Sequence, residues 1–147
     1  AVANLFDVPV AAANWVPMSQ GSPGPRDIYL PKLLATGSPA STSSFDQVLG
    51  SDLLRDLHTL AGGIEANVEW QDNTSEEIRE LAIEMLDYLD NKELYEPTDR
   101  ELQIRFRKLI SSNATPQTWG TTSRVGRHFL RTHSDLLLGA ERYDQEV

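Results

Sequence analysis

"PMSQGSPGPRDIYLPKLLATGSPASTSS", residues 17–44, is the stretch whose reading decides the fold. Six of the chain's eight prolines lie within residues 1–39. Each removes a backbone donor and fixes φ, so the segment is not expected to form long regular elements. Residues 1–43 therefore read as a Pro/Ser/Ala-rich extended arm. The arm still carries Leu5, Phe6, Val8, Val10, Trp15, Val16, Ile28, Tyr29 and Leu30, which a freely solvated tail has little reason to hold. It is expected to pack on its own domain or on a neighbouring subunit.

Outward from Ser44 the pattern turns helical. Ser44-Phe45-Asp46-Gln47 reads as a capping box, and Val48, Leu49, Leu53, Leu57, Leu60 and Ala61 follow at helical intervals, predicting a helix over about 45–61. Gly50 weakens it and Gly62-Gly63 stops it. Ile64, Ala66, Val68 and Trp70 then alternate with polar residues, the period of a strand, for which pieces of the N-terminal arm, such as 27–31, are the only candidate partners. Pro31 would make that partner an edge.

The clearest helix follows Thr74/Ser75, with Ile78, Leu81, Ala82, Met85, Leu86 and Leu89 as its apolar stripe. At about 100° per residue, Glu76, Glu77, Glu80, Glu84 and Asp87 share an opposite arc of about 100°. Thr98-Asp99-Arg100-Glu101 reads as a second capping box, opening a helix that buries Leu102, Phe106, Leu109 and Ile110. After Pro116 and Gly120 a last helix is predicted over about 123–138. Its buried side is Val125, Phe129 and Leu136, and its outer side Arg124, Arg127 and Arg131. The expectation is a mainly α protein: a bundle of about four helices over 44–147, preceded by the arm, with one short strand at most.

Charge is segregated along the chain. Its formal net charge is −9, yet residues 100–131 hold seven basic groups and one acidic, whereas residues 1–99 hold five basic and seventeen acidic. The basic block is Arg100, Arg105, Arg107, Lys108, Arg124, Arg127 and Arg131. The plain interpretation is a solvated face, or pairing inside one molecule. If each helix turns an apolar stripe to a shared core, however, the charged faces point apart, and acidic and basic faces meet more easily between molecules. Such head-to-tail contacts build rings or filaments. On this reading Glu76, Glu77, Glu80, Glu84 and Asp87 form an acidic inter-subunit face, and the basic block binds a partner or nucleic acid presented with an assembly.

The function expected is thus a non-enzymatic, self-assembling structural subunit, such as a viral coat, capsid or nucleocapsid protein. Helical coat proteins of filamentous viruses share its character of bundle, arm, acidic balance and internal arginines. The alternative is an adaptor that grips nucleic acid or an acidic protein with the basic helix pair. Catalysis has little support. There is no cysteine, His128 and His133 lie about 140° apart on a helix rather than on one face, and no nucleophile and base complete a constellation. No metal or cofactor is expected, although a divalent ion on the acidic face is a third possibility. No apolar run approaches a membrane span. The start at Ala1, without a basic-then-apolar leader, points to a cytoplasmic product, or a virion component if viral. On that view the sequons at Asn73 and Asn113 are coincidental.

Overall fold

A computed structural model of the chain describes residues 2–16, 24–37, 39–49, 68–92, 95–112 and 122–137. Its architecture is mixed α/β, not the mainly α bundle expected from the sequence. Two three-stranded sheets are present among the described residues. In the first, β1 (Ala11–Trp15) and β6 (Arg124–Val125) flank β2 (Ile28–Pro31), all parallel. In the second, β4 (Ser41–Thr42) and β5 (Glu69–Gln71) flank β3 (Leu33–Thr36), both antiparallel to it.

The central strands of both sheets come from the segment that reads as an arm. Only Lys32 separates β2 from β3, so one extended run from Ile28 to Thr36 serves the two sheets in turn. Ile28, Tyr29, Leu30, Leu34 and Ala35 are all buried, the near-continuous apolar pattern of a strand covered on both faces. Pro31 is tolerated because it ends β2. Its carbonyl accepts from the Asn73 amide, and the next N–H, that of Lys32, donates to the Trp15 carbonyl.

Among the described residues, four α-helical segments beyond the short α1 (Val2–Leu5) pack around these strands: α2 (Phe45–Leu49), α3 (Ser75–Leu89), α4 (Pro97–Ser112) and α5 (Arg127–Thr132), with a 3-10 turn over Ser134–Leu137. The Ser44 box forms, Ser44 and Gln47 exchanging side-chain and backbone hydrogen bonds. The predicted continuation of α2 to residue 61 lies outside the described residues, as do Ile64 and Ala66 of the predicted strand. Its end appears as β5, and its partner does come from the arm segment, at Leu33–Ala35, just beyond the 27–31 example. The Thr74 box forms as predicted, with Glu77 reciprocating. The second box starts two residues earlier than its sequence implies: Asp99 accepts from the Glu96 N–H at 2.9 Å, with Pro97 in the first turn, where its missing donor costs nothing.

The last predicted helix is split. Arg124 and Val125 add a strand beside β2, and the helix begins only at Arg127. Gly126 marks the change, since a Cβ there would lie 2.6 Å from Leu30 Cδ2. The outer edge of β6 is closed by the side chain of Gln103 on α4. Its amide donates to the Val125 carbonyl, and its oxygen accepts the Val125 N–H at 3.3 Å, so a glutamine stands in for a fourth strand.

One core joins these parts. Phe45 of α2 meets Phe106 of α4 edge-on at 5.4 Å and Phe129 of α5 at 6.4 Å, with Leu109, Leu130 and Leu137 beside them.

Candidate functional site

The site residues expected from the sequence fall on α3, α4, β6 and α5, and the structure brings several of them together inside one molecule. Arg131 grips Asp99 through Nε at 2.6 Å and Nη2 at 2.7 Å, with Glu96 3.7 Å away. Arg127 lies 3.8 Å from Asp87, which also holds Lys92 at 2.7 Å. Arg124, on a strand and not on the helix, stacks its guanidinium over the rings of Tyr88 at 4.5 Å and Tyr95 at 5.2 Å. Its Nε and Nη2 are buried without a hydrogen-bond partner among the described residues. Arg107 donates to the Thr122 carbonyl, and Arg100, Arg105 and Lys108 also have partners.

The acidic set is not one exposed face. Glu76 is exposed, and Glu80 and Asp87 are half-buried, but Glu77 and Glu84 are buried. Glu84 is only 1% exposed, and accepts from the Tyr95 hydroxyl at 2.6 Å and from the Arg127 backbone N–H at 2.8 Å. The second bond serves the start of α5, whose N-cap, Gly126, has no side chain to offer. Burial pushes the Glu84 carboxyl above its ordinary range, against the pull of Tyr95 and the neighbouring arginines. The Tyr95 hydroxyl is raised as well, by its burial and then by the Glu84 charge. Glu77 bonds both the Thr74 N–H and, at 2.6 Å, His133 Nε2. Burial alone would raise Asp99, but the hydrogen bonds from Arg131 and the Glu96 N–H outweigh it and hold the carboxyl below its usual range.

The two charged sets meet because α3 is rolled about its axis. Its buried residues are Glu77, Leu81, Glu84 and Met85, whose arc is centred roughly 80° from the middle of the apolar stripe. The acidic flank is thereby turned onto α5, and half of the stripe is turned out. Ile78 is 39% exposed, Leu86 62% and Leu89 52%, with Ala82 exposed between them. The sequence carried a signal of this: the stripe from Leu81 round to Leu86 spans about 140°, more than one contact face needs. A second apolar segment is exposed near the N-terminus, where Leu5 is 83% and Phe6 75% exposed.

A recess of about 50 Å³ between Asp7–Pro9 and Gly24–Asp27 is far below the roughly 300 Å³ at which small-molecule sites begin. Among the described residues no group of three or more His, Asp or Glu is placed to hold a metal, and no helix is long and apolar enough to cross a membrane. Trp70 is half-buried beside the core, and Trp119 lies outside the described residues. Asn73 of the first sequon is buried, its side chain bonding the Asn14 N–H and the Pro31 carbonyl. Compared with known proteins, the chain matches no family model, no curated protein and no solved structure.

Proposed function

We propose that the chain is a non-enzymatic structural subunit that assembles with copies of itself. The observation that carries this reading is the roll of α3, which buries two carboxylates while leaving Ile78, Leu86 and Leu89 in water. Exposing an apolar stripe forfeits its transfer free energy, roughly 25 cal/mol for each Å² left wet. That loss is recovered when another surface covers the stripe. Leu5, Phe6 and Val8 are a second such surface on the same chain, and two distinct apolar patches permit growth beyond a pair.

Apolar contact, more than attraction between opposite charges, would hold such an assembly together. Arg124, Arg127 and Arg131 engage their own chain, so an adaptor that grips a polyanion with the basic helix pair has less to draw on. The coat, capsid or nucleocapsid form is an analogy of character, and one of the shared traits, the mainly α bundle, is replaced by a mixed α/β fold.

Sedimentation over a concentration series tests the reading. A chain of 16.4 kDa is expected to give a mass that rises with concentration and persists at high salt, because apolar contact is not screened. A monomer at every concentration and salt overturns it.

A further inference from the structure

The exposed side of α3 has the layout of a two-fold seam. Ile78, Ala82, Leu86 and Leu89 lie within an arc of about 80° and run about 16 Å along the helix. On one flank of that arc stand Arg79, near the helix start, and Asp90, at its end, about 20° apart around the axis. Their side chains are 64% and 69% exposed, and among the described residues Arg79 pairs with its neighbour Glu80 and Asp90 with Lys92. The flank thus carries opposite charges at opposite ends of one apolar strip.

We propose that α3 docks antiparallel on the α3 of a second copy about a two-fold axis, an inference that rests on the self-assembly reading and gives it a geometry. A dyad perpendicular to the plane of the two helices keeps the same flank on the same side and reverses its direction. Arg79 of one copy then faces Asp90 of the other, twice, while Ala82 sits opposite Leu86, small against large. A parallel pair would send the two flanks to opposite sides of the seam and leave neither charge answered. The antiparallel seam is self-complementary, as an isologous contact must be. Its opposite charges at the rim fix register more than they add affinity. A strip of this length is smaller than the roughly 800 Å² per partner of a standard interface, so the pair is a weak dimer that further contacts consolidate.

The test is sedimentation equilibrium at low salt on four variants of the full chain. Leu86 is well exposed in the monomer, so L86D is expected to preserve the circular dichroism and melting of the native chain while weakening self-association by more than about tenfold. R79D and D90R each place like charges across the seam twice and weaken it by about tenfold. R79D/D90R reverses both and restores association to within about twofold of the native chain. If the native chain associates but L86D associates equally well, the α3 seam is overturned and self-assembly stands. If L86D dissociates and the double reversal fails to restore what the single reversals lose, the antiparallel register is overturned. A native chain that never associates removes both proposals. Should L86D melt early, L86S serves in its place, with the same readings.

Discussion

Arg131 and Asp99, 32 residues apart, form a two-pronged ion pair that ties the start of α4 to the end of α5. The carboxylate has two tasks, because the oxygen that meets Arg131 Nη2 also caps the Glu96 N–H at the head of α4. The Asp99 side chain is fully buried, whereas that of Arg131 is 45% exposed and retains access to water.

That asymmetry makes the two alanine variants unequal. R131A is expected to cost about 1–2 kcal/mol, because its half-exposed guanidinium is partly screened but leaves a buried carboxylate behind. D99A loses the pair and the helix cap together, adding about 1 kcal/mol to that figure. Denaturant unfolding of the two variants checks the order. In the native chain the depressed Asp99 carboxyl contributes stability that is present above its unfolded value of 3.8 and lost as pH falls through the lower folded value. R131A should flatten that acid limb.

Glu84 has the opposite sign. Burial raises its folded carboxyl above the unfolded value of 4.5, so on the alkaline side of that value the folded chain holds a proton that the unfolded chain has released. Stability therefore falls as pH rises through this window and levels off above the folded value. E84Q stays neutral throughout, and the Tyr95 hydroxyl can turn to accept from the new amide. Relative to the native chain, E84Q should become more stable as pH is raised from about 4 to 7. Chemical denaturation at several pH values reads the difference, and parallel curves would contradict the assignment.

Gly126 is fixed by contact and not by backbone conformation, since its φ of −54° suits any residue. G126A places a methyl group 2.6 Å from Leu30 Cδ2, and Leu30 is itself 1% exposed in the core. Overpacking of this kind costs about 1–3 kcal/mol. Pairing it with L30V, which shortens the opposing side chain, should recover part of the loss. Thermal melts of the single and double variants measure that coupling.

Much of the local structure was legible. The capping boxes at Ser44 and Thr74, the helix over Ser75–Leu89 and the apolar side of α4 follow from short-range rules, because caps and helical periodicity are decided within a few residues. What misled was the density of proline around Ile28–Thr36, where prolines bracket the strands instead of interrupting them. The pairing that makes β2 a central strand also lies far along the chain, at Arg124–Val125. In the same way, the spacing of Arg124, Arg127 and Arg131 fits one helical face, yet Arg124 is on a strand. Nothing within a few residues of it reveals that β2 offers a free edge there.

By itself the sequence determined which segments are amphipathic, where α2 and α3 begin, and that basic groups concentrate late in an otherwise acidic chain. Only the tertiary structure decided how α3 is rolled, and with it which carboxylates meet the arginines and which leucines meet water. The reason is that a stripe wider than one contact can bury leaves the helix free to turn. The turn is set by partners distant in sequence: Glu84 at the Arg127 N–H, Glu77 at His133, and Leu81 and Met85 in the core.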